Sequence, residues 1–385
     1  MASITNIYEK LIKPILKKDN SIDAECLTNL SLSILAFCSK NKDWKIISNL
    51  LKEISEEFCI KNEKLKQEIY GINFPNPIGL AAGFDKNGIA ANIWKELGFG
   101  FSELGTVTKY AQPGNPKPRL FRIANEQAAL NRMGFNNNGA DILLQNLVKQ
   151  NIQERDARKQ NCLGINFGKS KITPISHATD DYLSSLKLLI PYCDYAAINV
   201  SSPNTEGLRK LQDPILLREL LKEIKGLPNC PPLFVKIAPD LNFKEIDEIC
   251  QLINDEKING IIATNTSLDR LGLENILIEN TGYLLSQEKG GLSGKPLRQK
   301  ANTIIKHIHN IDKNLILIGV GGIDSPESAW ERITSGASLI QVYTGWIYKG
   351  PSLIPDILKG IVKQLNYYQI PNIKEAIGSG LVWKD

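Results

Sequence analysis

A (β/α)8 barrel carrying a small N-terminal helical segment is the fold this sequence predicts, on three observations. The chain has 385 residues, which is one barrel of roughly 250 residues plus an appendage. Its texture changes near residue 70, from helical periodicity with few glycines to short apolar runs that mostly end in Gly, Ser, Thr or Asn. Those runs number eight and alternate with helical stretches, as parallel strands buried on both faces do. The predicted division is therefore a helical segment over 1–68 and a barrel over 69–385.

In chain order, Tyr8, Leu11, Ile12 and Ile15 form a short apolar pattern. Leu27, Leu30, Ile34 and Phe37 mark one amphipathic helix, and Ile47, Leu50, Leu51, Ile54 and Phe58 a second. Residues 61–68 read as a charged linker. The eight strand candidates are 77–83, 99–107, 162–168, 195–202, 233–239, 260–266, 315–323 and 339–345. Between the second and third, 118–125 and 127–133 read as extended segments inserted at the barrel mouth. The excursion 268–290 after the sixth strand reads as a mobile flap.

Composition excludes several classes. At 42% hydrophobic and 23% charged the chain is an ordinary folded protein. A net charge of +5 without clustered arginine predicts no nucleic-acid partner. Only three histidines exist, His177, His307 and His309, too few and too scattered for a histidine metal centre, so no metal is expected. The seven cysteines include no CxxC pair, which predicts reduced, mostly buried thiols. The start, MASITNIYEK, lacks the cationic and apolar regions of a signal peptide. The longest uncharged stretch nearby, 26–39, falls short of the roughly 20 residues that span a bilayer.

A barrel keeps its chemistry at the C-terminal strand ends, so what each strand ends with matters. The first gives Ala82, Gly83, Phe84, Asp85 and Lys86, and the second Thr106. The insert carries Asn131, Arg132, Met133, Gly134 and Phe135. The third, fourth, fifth and sixth give Asn166, Asn199 to Thr205, Lys236, and Thr264-Asn265-Thr266. Then come Gly290 to Gly294, Gly319 to Gly322, and Tyr343-Thr344-Gly345. Glycine turns after the last two strands suit a phosphate, although such turns also serve plain βα connection. Asn131, Asn199, Asn204 and Asn265 each offer a donor and an acceptor. Singly each is a turn former; together they suit a flat ligand with alternating C=O and N–H edges, such as a pyrimidine ring. Lys236, flanked by apolar residues, is a buried cation that needs either a carboxylate partner or an anionic ligand. Lys86 suits a substrate carboxylate.

The strings NPIGLAAGFDKNG, GTVT, NRMGFNN, GINFGKS, NVSSPNTEGLR, VKIAPD, ATNTSLDR, GGLSGKPL, GVGGI and QVYTG occur in that order over roughly residues 70 to 365. In this set the chain resembles the dihydroorotate dehydrogenases, FMN barrels that oxidise dihydroorotate to orotate in pyrimidine synthesis. The resemblance also selects a class. One class uses a cysteine base and lacks an N-terminal extension; the other uses a serine base, carries N-terminal helices and delivers electrons to a membrane quinone. Ser202 and the helical segment match the quinone class. Carried over by position, the resemblance implies FMN contacts at Ala82, Gly83, Phe84, Asp85, Lys86, Thr106, Asn166, Asn199, Lys236, Thr264, Gly294, Gly322, Tyr343 and Thr344. It implies substrate contacts at Lys86, Asn131, Arg132, Met133, Gly134, Phe135, Asn199, Asn204, Asn265 and Thr266. Ser202 is the implied catalytic base at C5 of the substrate while hydride leaves C6 for the flavin, with Thr205 passing the proton on beneath Phe135. A cation at Lys236 would favour the reduced, anionic flavin.

One departure concerns the quinone end. Where quinone-class members often carry a histidine on the first long N-terminal helix, this chain has Glu25, while Arg122 and Tyr343 match other tunnel residues. The implied setting is a monomer held peripherally on the cytoplasmic face of the cell's inner membrane. Two other readings compete: a barrel dehydrogenase with a soluble electron acceptor, and an inactive barrel kept as a scaffold. Ser202 and the N-terminal helices speak against the first, and the intact set of polar mouth residues against the second.

Overall fold

The structure, a computed structural model, describes residues 4–14, 23–157 and 162–385. Eight parallel strands close into a barrel. We number them β1 (Ile78–Leu80), β2 (Phe101–Val107), β3 (Cys162–Phe167), β4 (Tyr195–Asn199), β5 (Leu233–Ile237), β6 (Gly260–Ala263), β7 (Ile316–Val320) and β8 (Leu339–Val342). Each pairs with its sequence neighbours, and β8 returns to β1. All eight fall inside the predicted runs. Side chains buried on both faces of each strand explain why the runs are apolar rather than alternating.

The floor of the barrel is closed by a hairpin the sequence reading missed. Gln67–Ile69 pairs antiparallel with Ile72–Phe74 across the expected boundary at 68/69. Tyr70 and Gly71 turn it, both at positive φ (53° and 74°), as the tight two-residue hairpin turns require. Ile69 and Phe74 belong to the same buried cluster as Phe101, Tyr195, Phe234 and Ile318 inside the barrel.

The two N-terminal helices run over Ala24–Lys40 and Lys45–Phe58. Asp23 caps the first through Cys26 N at 2.7 Å. In the second, the predicted stripe faces the molecule, with Ile54 and Phe58 buried in the main core. In the first, most of the predicted stripe faces outward. Leu32, Leu35, Ala36 and Cys38 pack against the core, while Leu30, Ile34 and Phe37 are exposed. Of the earlier apolar pattern, Tyr8 is buried and its hydroxyl donates to Ile347 O at 2.5 Å; Ile15 and the side chains of Leu11 and Ile12 lie outside the described residues.

Both inserted segments are strands. Leu120–Ile123, Ala128–Asn131 and Gly291–Gly294 form an antiparallel sheet over the barrel mouth, with Phe121, Leu130 and Leu292 at its centre. The excursion 268–290, expected to be mobile, is tied down. Arg270 donates to the carbonyls of Leu268, Leu285, Glu288 and Gly290, and Arg132 pairs with Glu288. None of the seven cysteines is in a disulfide among the described residues. Among the described residues there is no metal-holding cluster and no helix long and apolar enough to cross a membrane.

Candidate active site

The C-terminal strand ends surround one cavity, roofed by the three-stranded sheet. Nineteen of the expected site residues line it: Ala82, Gly83, Lys86, Thr106, Asn131, Met133, Gly134, Phe135, Asn199, Ser202, Asn204, Lys236, Thr264, Asn265, Thr266, Gly294, Gly322, Tyr343 and Thr344. Four stand behind the wall. Phe84 packs its ring against Trp94, Tyr343 and Trp346. Asp85 accepts from Ile89 N and Ala90 N, both at 2.9 Å, and thereby holds the loop after β1; burial pushes its carboxyl up to about 6. Asn166 is fully buried beneath Asn199. Arg132 lies over the Phe121 ring and ties the roof to Glu288.

The four asparagines meet across the cavity in two pairs. Asn204 Nδ2 donates to both oxygens of Asn131 at 3.2 Å. Asn265 Nδ2 reaches Ser201 Oγ at 2.9 Å and Asn199 Oδ1 at 3.3 Å. Ser202 is 5% exposed, and its Oγ accepts from Asn204 N at 3.2 Å, leaving the hydroxyl hydrogen free for transfer chemistry. Thr205 Oγ1 is buried and has no partner among the described residues. Phe135 holds a left-handed backbone (φ 51°), uncommon for an aromatic residue and a form of strain found where a loop must aim a side chain.

Charge is placed with equal economy. Lys86 lines the cavity with no ion pair among the described residues, and burial lowers its ammonium to about 8 against the opposing pull of Glu25. Lys236 Nζ lies 3.6 Å from Glu103 Oε1, inside the barrel. Glu25 is 4% exposed and forms a two-point pair with Arg119, at 2.9 and 2.7 Å. Burial raises its carboxyl, but Arg119 and Lys117 outweigh that and hold it below the usual range. Arg122 is half-buried on the roof strand Leu120–Ile123.

Two observations bear on a bound cofactor. Thr264 Oγ1 and Gln341 Oε1 are buried polar atoms without partners among the described residues, and both residues line the cavity. Buried polar atoms are ordinarily satisfied, so orphans at a cavity wall signal a ligand. The second is the pair of glycines Gly321 and Gly322, at φ 108° and 72°, on the same wall after β7. These residues fit a flat heteroaromatic ring with a phosphate tail. Gln341, Ser293 and Glu103 are functional candidates that sequence reasoning missed. Gln341 lay within the quoted QVYTG string, and Glu103 was visible as an acid inside the apolar run FSELGTV.

Comparison with known proteins points the same way. The family described as dihydroorotate dehydrogenase matches residues 64–365. A "Dihydroorotate dehydrogenase (quinone)" of Prochlorococcus marinus (strain MIT 9313) is 52% identical over 99% of this chain and 97% of its own. One of Trichormus variabilis (strain ATCC 29413 / PCC 7937) is 48% identical over 97% of this chain and 98% of its own. Among solved structures, DHODH in complex with ferulenol from Eimeria tenella superposes with a TM-score of 0.80 at 32% identity, covering 95% of this chain and 97% of that one. With the family's model matching residues 64–365 and a relative 52% identical over nearly the whole chain, this protein belongs to the dihydroorotate dehydrogenase family.

Proposed function

We propose that the protein oxidises (S)-dihydroorotate to orotate in pyrimidine synthesis, with FMN as hydride acceptor and a membrane quinone as final electron acceptor. The observation that carries this reading is the single cavity in which a serine, a free lysine and four asparagines face two orphaned polar atoms. When bound, FMN supplies the acceptor for the hydride from C6 of the substrate and the route by which electrons reach the quinone. Thr106, Lys236, Thr264, Gln341, Gly322 and Tyr343 line the cavity and would hold it, with Lys236 supplying a cation beside the ring.

The rest is done by this chain's own groups. Lys86 binds the substrate carboxylate, and Asn131, Asn199, Asn204 and Asn265 bind its amide edges. Ser202 Oγ takes the C5 proton. A serine is a weak base at neutral pH, so its own hydroxyl hydrogen must leave as the C5 proton arrives, and Thr205, a buried hydroxyl three residues on with no partner of its own among the described residues, is the proposed relay. Phe135 and the roof sheet keep bulk water from the reacting carbon.

A quinone is insoluble in water and calls for an opening toward lipid. Leu30, Ile34, Phe37, Trp44 and Ile46 form an exposed apolar surface, with Ile46 81% exposed and Phe37 edge-on to Trp44 at 6.1 Å. Residues 1–68 hold 11 lysines and 10 acids, a net of 11 − 10 = +1. Attachment to the cytoplasmic face of the membrane, by a monomer, is therefore mainly hydrophobic. The test is spectroscopic. Purified protein should be yellow, release FMN by mass, and bleach anaerobically on addition of dihydroorotate; a colourless protein that takes up no FMN contradicts the reading.

A further inference from the structure

Glu103 sits on β2 inside the barrel, fully buried and absent from the cavity lining. Every neighbour presents a hydrogen to it. Asn166 Nδ2 donates to Oε1 at 2.7 Å. Gln341 Nε2 and Tyr195 Oη donate to Oε2 at 2.7 and 3.0 Å. Lys236 Nζ lies 3.6 Å away.

A primary amide has a donor end and an acceptor end of nearly equal shape, so its surroundings decide which way it points. An acid that only accepts decides for Asn166. With Nδ2 committed to Glu103, Asn166 Oδ1 must accept, and it does so from Thr106 Oγ1 at 2.6 Å and Asn199 Nδ2 at 3.0 Å. Asn199 Nδ2 also donates to Thr106 Oγ1, at 3.1 Å. Its Oδ1 is thereby turned toward Ser201 Oγ, at 3.0 Å, and Asn265 Nδ2, at 3.3 Å. Asn265 Oδ1 in turn accepts from Thr266 N at 2.8 Å. Gln341 is set the same way: its Nε2 faces the carboxylate, which leaves Oε1 as the orphaned acceptor. A flip of any one amide would set acceptor against acceptor along this run.

We propose that Glu103 is a positioning residue that fixes the donor–acceptor order of Asn166, Asn199, Asn265 and Gln341, so that flavin and substrate meet one defined pattern of amide ends. The inference rests on the FMN and dihydroorotate reading of the cavity. It explains why an acid occupies the barrel interior although it lies off the cavity lining, and why Lys236 stands beside it: the cation offsets a charge whose task is orientation.

Glu103→Gln is the test, because glutamine keeps the volume but can donate where the acid only accepts. In FMN-loaded protein, orotate binding is read by the change in flavin absorbance, and the flavin midpoint potential is measured alongside. The expected result is FMN retained, orotate Kd raised about tenfold or more as oriented hydrogen bonds are lost, and a shifted potential. Asn166→Ala cuts the run at the next link and should weaken orotate to a similar degree. The double variant should be no worse than either single one, since both act through one path. Orotate affinity within about twofold of wild type with an unshifted potential, or fully additive losses in the double variant, overturns the proposal. If Glu103→Gln does not fold, unchanged orotate affinity and potential in Asn166→Ala overturns it alone. Wild-type protein that takes up no FMN overturns the cavity reading and this inference together, whereas wild-type binding with silent variants overturns only this inference.

Discussion

Ser202 stands in the cavity with a hydroxyl that accepts one backbone hydrogen bond and keeps its own hydrogen for transfer. Ser202→Ala should leave FMN bound and slow flavin reduction by dihydroorotate at least about 10²-fold, the scale of a lost positioned base; stopped-flow reduction at the wild-type rate would remove the serine from the mechanism. Lys86 gives a pH prediction whose sign follows from its lowered pKa of about 8. On the proposed reading the protonated form holds the substrate carboxylate, so that contact is complete below that value and is lost as pH rises through it. The kcat/KM for dihydroorotate should therefore fall on the alkaline side of about 8, and Lys86→Met should lower it at neutral pH and flatten that limb. Residues of this kind were legible in the sequence because they sit at strand ends, where polar groups interrupt apolar runs. Gln341 and Glu103 were not, because inward-facing polar residues within a strand look like noise in an apolar run until the partners across the barrel are known. Lys236 was legible as a buried cation, but its partner, an acid 133 residues earlier in the chain (236 − 103), had no local signal.

At the scale of elements, continuous apolar runs bounded by glycine and asparagine made the barrel strands readable, since a strand buried on both faces needs nothing else. The floor hairpin escaped because Gln67–Phe74 mixes charged and apolar residues and sits on the expected boundary. Its only signal was Tyr70-Gly71, a pair suited to a left-handed turn. Gly291–Gly294 read as a glycine-rich mouth loop because its role as a strand depends on pairing with Ala128–Asn131, far away in sequence. The first N-terminal helix shows a sharper limit. Its periodic stripe Leu30, Ile34 and Phe37 was visible, but periodicity does not say whether a stripe faces core or outside, and here it is exposed. That helix is locked by Glu25 on Arg119, both buried. Glu25→Ala should destabilise the protein by about 3 kcal/mol, because it strands a buried guanidinium, and hydrogen exchange should speed up in Ala24–Lys40 first. Since Arg119 holds the Glu25 carboxyl below its usual range, the lock is complete above the ordinary carboxyl pKa and is lost as pH falls through the lowered one. The double variant Phe37→Asp, Trp44→Ser alters only exposed side chains. It should abolish sedimentation with lipid vesicles and slow turnover of a long-chain quinone while flavin reduction by dihydroorotate stays at the wild-type rate; retained vesicle binding would place the membrane contact elsewhere.

The molecule as a whole divides its tasks by position. The hairpin closes the floor, the roof sheet closes the mouth, and both reaction partners must share what lies between. The N-terminal helices bury one side on the barrel and leave the other open, which is wasteful for a cytosolic enzyme and sensible for one fed by a lipid-soluble acceptor. The choice of electron acceptor is thus the central claim, and one assay addresses it: anaerobic oxidation of dihydroorotate by the purified protein with a soluble quinone, fumarate or NAD⁺, side by side. Orotate should form at a sustained rate with the quinone and at no more than background with the other two. Equal or faster turnover with fumarate or NAD⁺ would contradict the account.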